Sequence, residues 1–373
     1  MLFKNAYIFT EAGNFRYGSL RVENGKFTEI LETVPNEEGV DLHGGWVIPG
    51  LVDIHIHGSA GADFSDGEYK GLMNMAVYLA KNGVTSFAPT SMTLPYETLG
   101  KAYETAAQFY EDAPAGCARL TGIHMEGPFF SEKKKGAQNS AYLKTPDSKA
   151  FGTLYEKSKG LLRIVDVAAE LPGAEAFTRE VSSRCTVSIT HTDAGYEDAV
   201  SVFNAGATHM SHLYNGMPGL HHRNPGPIGA GSERDTVVAE LICDGLHVHP
   251  SAVRAAFKLF PGRICMISDA LRCCGMPEGE YLCGEQWVFL RDGVAKLESG
   301  VIAGSATNLF TCMQRAVSFG IPREQAILAA TAIPAKQIGS CEIGVIAPGR
   351  LADFVVCTEN LDRVAVYMGG RHI

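Results

Sequence analysis

The sequence predicts a (β/α)8 barrel with a small β-sandwich module, and two observations carry that expectation. Between about residues 50 and 340, eight apolar, strand-like runs alternate with helical patterns. The two ends of the chain read differently, as short alternating runs broken by turn residues. A doubly wound parallel sheet is the competing arrangement for the central part.

Taken in order, residues 1–48 hold alternating runs separated by Glu11-Ala-Gly-Asn14 and Glu23-Asn-Gly25, which is hairpin chemistry. The expected barrel strands follow: Leu51–Ile56, Thr85–Ala88, Arg119–Met125, Leu162–Ala168, Thr186–Thr190, Thr208–Leu213, Val237–Ile242 and Arg263–Ile267. Between the first two, Leu72, Met75, Ala76 and Leu79 recur at helical spacing, with Gly83 placed as a C-terminal cap. Leu99, Ala102, Tyr103 and Ala106 repeat the pattern before the third strand. Residues 281–303 read as a hairpin inserted after the eighth strand. The segments Ile343–Val356 and Val364–Met368 read as β again. The expected division is therefore a β module from residues 1–48 plus 341–373, and a barrel from 49–340.

Composition bounds the function. The chain has 373 residues, 46% hydrophobic and 20% charged, enough to bury a large core. No run of 18 apolar residues crosses a membrane, and no signal-peptide pattern opens the chain. Ten cysteines without a regular framework suit reduced thiols, hence a cytoplasmic location. A formal charge of −9 argues against nucleic acid as a partner, though local basic groups could still meet an anionic small molecule.

Chemistry concentrates in Pro49-Gly-Leu-Val-Asp-Ile-His-Ile-His-Gly58. Side chains alternate along a strand, so His55 and His57 share a face about 6–7 Å apart at the backbone, where two imidazoles can grip one cation. Barrel active sites gather at the C-terminal strand ends. Those ends also offer Glu126 on strand three, His191 on strand five, His212 on strand six and Asp269 on strand eight. Histidine and carboxylate donors without thiolate suit one or two divalent ions, Zn, Fe, Co or Mn. Such a site activates water and still needs a proton carrier, for which Asp269 is the natural group. His124, two residues before Glu126, is expected to support the ligands from behind.

The layout of His-x-His on strand one, Glu on strand three, His on strands five and six and Asp on strand eight resembles the amidohydrolase superfamily. Within it, Gly122-Ile-His-Met-Glu-Gly-Pro-Phe-Phe130, Lys135-Gly-Ala-Gln138, Ser211-His-Leu-Tyr-Asn-Gly-Met-Pro218 and Asp244-Gly-Leu-His-Val248 are similar to the N-acetylglucosamine-6-phosphate deacetylase family. The resemblance spans nearly the whole chain. It implies hydrolysis of the acetamide of a sugar phosphate, N-acetylglucosamine 6-phosphate first and another N-acetylhexosamine phosphate such as N-acetylgalactosamine 6-phosphate as the alternative. It also implies that Glu126, His191 and His212 hold the principal metal. Ala137, Gln138, Asn215, Gly216, Arg223, His247, Ile302, Ala303 and Gly304 match positions that bind the substrate. A homodimer is implied as well. Some members have histidine at the position of Gln138, lack the second histidine of the first-strand pair and work with one metal. Here both histidines are present and Gln138 is neutral, a combination that favours a second metal on His55 and His57. A cyclic-amide hydrolase such as a dihydroorotase ranks low, because strand four offers no lysine to bridge two metals. A non-catalytic barrel would typically have lost ligands that this chain keeps.

Overall fold

A computed structural model describes all 373 residues. Eight parallel strands form the barrel: Leu51–Ile56, Val84–Ser91, Ile123–Met125, Leu162–Val167, Thr186–Ile189, His209–Met210, Val238–Ile242 and Ile264–Ile267. They are called strands one to eight below. Each pairs with the next, and the ring closes where the Asp269 N–H donates to the His55 carbonyl at 2.9 Å.

The helices expected from periodicity are present at Tyr69–Lys81 and Tyr96–Asp112. Leu72, Met75, Ala76 and Leu79 of the first, and Leu99, Ala102, Tyr103 and Ala106 of the second, are buried. They belong to a 77-residue cluster between strands and helices. Burying one such side chain contributes about 1.5–3 kcal/mol, so this layer dominates the stability.

The termini build one seven-stranded sheet in the order Arg371–His372, Arg363–Met368, Phe354–Cys357, Val40–Pro49, Leu2–Phe9, Phe15–Glu23, Lys26–Leu31. Phe354 and Phe27 stand four strands apart in that order, about 19 Å in a flat sheet. Their rings nevertheless lie 6.0 Å apart, and the Phe27 N–H donates to the Arg350 carbonyl at 2.9 Å. The sheet therefore folds over itself as a sandwich around Phe3, Ile8, Leu20, Phe27, Val47 and Phe354. The Asn24-Gly25 turn is left-handed at both residues, at φ 50° and 76°, as a two-residue hairpin turn requires.

Three expectations need correction. Strand three is interrupted: Arg119–Leu120 and Ile123–Met125 pair separately, because Leu120 opposes Phe87 while His124 opposes Thr90, which leaves one extra residue on strand three as a bulge. The insertion is a four-stranded antiparallel sheet, Gly279–Cys283, Gln286–Arg291, Val294–Leu297 and Ile302–Gly304, rather than one hairpin. Of Ile343–Val356, only the end is strand, from Phe354. Gly344, Pro348 and Gly349 break the segment before it into turns, with a single bridge from Leu351 to Lys26. No helix is long and apolar enough to cross a membrane, and all ten cysteines are free, nine of them buried.

Candidate metal centre

The predicted residues meet at the C-terminal mouth of the barrel. Glu126, at the end of strand three, is the hub. Its Oε1 lies 3.2 Å from His191 Nε2, 3.0 Å from His212 Nε2 and 3.5 Å from His55 Nε2. Its Oε2 lies 3.3 Å from His57 Nε2 and accepts the Gln138 amide at 2.6 Å. Asp269 Oδ1 closes the group, 3.2 Å from His57 Nε2 and 3.7 Å from His55 Nε2. Glu126, His191 and His212 could hold one cation, and His55, His57 and Glu126 a second, with Glu126 common to both.

The tautomers follow from the outer partners. His57 Nδ1 faces the Thr90 carbonyl at 3.1 Å, His191 Nδ1 the Lys134 carbonyl at 2.7 Å, and His212 Nδ1 the Asn215 carbonyl at 3.2 Å. His55 Nδ1 faces Glu240 Oε2 at 2.8 Å. Carbonyls and carboxylates only accept, so each Nδ1 carries the proton. In a neutral ring the Nε2 lone pair then points at the centre. Four such nitrogens converge on two carboxylates, and His55 Nε2 is buried without any hydrogen-bond partner. Lone pairs aimed at carboxylates repel unless a cation stands between them. The residues present therefore fit a divalent metal, and the nitrogen and oxygen donor set suits Zn, Fe, Co or Mn.

The electrostatics agree. Burial alone would raise the pKa of Glu126, but the imidazoles of His191, His212 and His55 packed around it outweigh burial and hold it well below the usual range. Burial likewise acts to raise Asp269, and the neighbouring imidazoles of His57 and His55 lower it instead. Asp269 is therefore ionised, as a proton acceptor must be.

The backbone is strained where it delivers these groups. His191, His212 and Asp269 are left-handed, at φ 43°, 29° and 49°. Each such residue costs about 1–3 kcal/mol and persists only where its surroundings over-determine it. The strain also explains why strand six pairs over His209–Met210 alone, short of the Thr208–Leu213 expected. Gly216 is required for the same centre. It is left-handed at φ 61°, and a Cβ there would sit 2.8 Å from His191 Nδ1.

Sequence reasoning missed the floor beneath this cluster. Glu240 on strand seven accepts from His55 and, through Oε1, from His209 Nε2 at 3.0 Å. Asp166 on strand four accepts from His124 Nε2 at 3.0 Å and from Ser211 Oγ at 2.8 Å. With His124 Nδ1 on the Ile54 carbonyl at 3.0 Å, both ring nitrogens of His124 are engaged beneath the cluster. Asp53 ties strand one to strand eight through the Ser268 N–H at 3.3 Å, and burial pushes its pKa up to about 7. The available signal was a lone acid inside each apolar run, Leu162–Val167, Val238–Ile242 and Leu51–Ile56.

The matched substrate positions are placed less uniformly. Gln138 is buried, its Oε1 accepting from the Thr93 N–H at 2.7 Å while its amide donates to Glu126. The Ala137 carbonyl accepts from Gln286 of the inserted sheet. Asn215 donates to the His212 and Leu213 carbonyls at 3.2 and 3.3 Å. His247 is held by Asp244 at 2.7 Å. Ile302, Ala303 and Gly304 form the last inserted strand, and the Ser305 N–H that follows donates to the Asp269 carbonyl at 2.8 Å. Arg223 is exposed, its guanidinium 2.8 Å from His222 Nε2, and makes no contact with the metal ligands.

Comparison with known proteins agrees with this layout. The model of the amidohydrolase family matches residues 46–372. An N-acetylglucosamine-6-phosphate deacetylase of Vibrio furnissii is 35% identical over 328 residues, 87% of this chain and 82% of its own. An N-acetylgalactosamine-6-phosphate deacetylase of Escherichia coli O157:H7 is 33% identical, covering 98% of this chain and 97% of its own. The structure of a Mycobacterium smegmatis N-acetyl-D-glucosamine-6-phosphate deacetylase mutant in complex with N-acetyl-D-glucosamine-6-phosphate superposes with a TM-score of 0.94 at 28% identity. It covers 100% of this chain and 98% of that one.

Proposed function

The chain belongs to the amidohydrolase family, and on that premise we propose that it hydrolyses the acetamide of N-acetylglucosamine 6-phosphate to glucosamine 6-phosphate and acetate, in amino-sugar catabolism. The observation that carries this reading is the convergence of four histidine Nε2 atoms on Glu126 and Asp269, in a chain similar over nearly its whole length to sugar-phosphate deacetylases.

Glu126, His191 and His212 would hold the principal metal, with His55 and His57 sharing Glu126 for a second. A bound cation would supply Lewis acidity, lowering the pKa of water far below its bulk value, to roughly 7, and drawing charge from the scissile carbonyl. Asp269 takes the proton of the attacking water and passes it to the departing amine, since an amide nitrogen leaves only once protonated. The two main-chain hydrogen bonds that hold Asp269 aim its carboxylate into the centre, with Oδ1 3.2 Å from His57 Nε2.

Ala137, Gln138, Asn215, Gly216, His247 and Ile302–Gly304 would surround the sugar, and Arg223 would read its phosphate. Arginine pairs bidentately with phosphate oxygens, and Arg223 lies in the basic loop His221-His-Arg-Asn224 of an acidic chain. An exposed Arg223 suits a homodimer in which the loop completes a partner's site. In this division of labour residues 49–340 carry the reaction and the terminal sheet closes the barrel's flank. Ten free cysteines support a reducing, cytoplasmic setting.

One observation favours a second substrate. The galactosamine-type relative is nearly as similar as the glucosamine-type one, at 33% against 35% identity. Acetate release from N-acetylglucosamine and N-acetylgalactosamine, each with and without the 6-phosphate, tests both readings. The 6-phosphate of N-acetylglucosamine should turn over fastest. Release from neither phosphate would overturn the proposed function.

Arg223→Ala should raise KM for the phosphorylated sugar far more than for the plain one. A charged hydrogen bond is worth about 1.5–3 kcal/mol, so about a 10- to 100-fold penalty is expected. Equal losses on both sugars would show that Arg223 does not read the phosphate.

A further inference from the structure

We propose that Glu240 is a positioning residue that holds His55 of one cation subsite and His212 of the other in their ligating geometry. The inference rests on the metal reading above and extends it to a residue that touches neither metal nor substrate.

Glu240 is fully buried on strand seven, where its carboxylate has four neighbours. Its Oε2 accepts the His55 Nδ1–H at 2.8 Å and lies 3.2 Å from the His212 backbone N–H. Its Oε1 accepts His209 Nε2 at 3.0 Å and stands 3.9 Å from His124 Nδ1. The main chain of the same residue acts too, since the Leu213 N–H donates to the Glu240 carbonyl at 2.8 Å. Side chain and backbone of Glu240 thus grip two consecutive N–H groups of the turn in which His212 is left-handed at φ 29°. That turn swings His212 Nε2 to Glu126.

The effect on His55 is electronic as well as steric. An acceptor on Nδ1 fixes the proton there and leaves Nε2 as a lone pair. Nothing else holds His55 Nδ1, whereas His57, His191 and His212 each rely on a main-chain carbonyl that no substitution removes. His55 is thus the one ligand whose tautomer depends on a side chain. Its Nε2 is also the buried nitrogen without a partner. A carboxylate is required because both neighbouring rings donate to it. In Glu240→Gln the amide oxygen satisfies one ring, and the NH2 group confronts the other. His55 then escapes the clash by moving its proton to Nε2, which disables it as a ligand.

Three proteins test this: wild type, Glu240→Gln, and His209→Gln, which breaks the same network on the side away from the ligands. Zinc affinity is measured by competition with a chromophoric chelator, at a temperature where circular dichroism shows all three folded. Glu240→Gln should bind zinc about 10- to 100-fold more weakly, the range for carboxylates that orient metal-bound histidines. His209→Gln should lose less affinity than Glu240→Gln even where its apo melting temperature falls as far. Equal zinc affinity in wild type and Glu240→Gln would overturn the proposal, as would equal losses in both variants. A wild type that binds no zinc brings down the metal reading itself, a separate result. Should Glu240→Gln not fold, the 15N spectrum of the 12 histidines in zinc-loaded wild type decides, with His55 assigned by His55→Asn. A proton on His55 Nδ1 supports the assignment, and a bare Nδ1 overturns it.

Discussion

Asp269→Asn should retain fold and bound metal while turnover falls by about 100-fold or more, the usual contribution of a positioned proton carrier. Asparagine keeps the shape, and the main chain that places the residue is untouched: the Asp269 N–H still reaches the His55 carbonyl, and its carbonyl still accepts from Ser305. What disappears is the only carboxylate at the mouth besides Glu126 that faces His57, at 3.2 Å. The amide can neither take a proton from water nor hand one to the leaving amine. Steady-state acetate release, metal analysis and circular dichroism on the same preparation check this. Normal turnover with metal bound would sink the assignment of Asp269 as base. Loss of metal together with turnover would make it a ligand instead.

Glu126→Gln should have the larger effect, because one carboxylate serves both subsites. Its two oxygens face His191, His212, His55 and His57 at 3.0–3.5 Å. Glutamine offers one weaker oxygen and turns an NH2 toward nitrogens that already point inward. Without the cation, water would return to its much higher bulk pKa, so turnover should fall by more than about a thousandfold. In protein prepared with excess divalent ion, wild type should saturate at two ions per chain and Glu126→Gln at none. The double variant His55→Asn, His57→Asn should keep the ion on Glu126, His191 and His212 and lose most of its turnover. Gln138 gives this its force. Its amide already donates to Glu126 Oε2 and accepts from Thr93, which leaves it uncharged and committed when the scissile carbonyl needs polarising. Saturation at one ion, with turnover retained in the double variant, would show that one metal suffices.

The order of strands and helices, and the strand ends that carry chemistry, follow from local patterns. Apolar runs with period-two or helical spacing recur over neighbouring residues, so His55, His57, Glu126, His191, His212 and Asp269 could be listed together once a barrel was inferred. The pairing of those residues could not. Glu240 meets His55 across 185 positions and Asp166 meets His124 across 42. A lone acid in a buried strand announces that it has a partner, but only the closed ring of strands selects which one. The same limit explains the inserted sheet and the fold-over of the terminal sheet, where Phe27 and Phe354 touch from opposite ends of the chain. It also explains the left-handed backbone at His191, His212 and Asp269, since side-chain type does not reveal strain that the surrounding hydrogen bonds impose. Residue types and spacing set what the site is made of; the closure of the barrel decides how each ring and carboxylate is turned, because those forces act between residues that the chain keeps far apart.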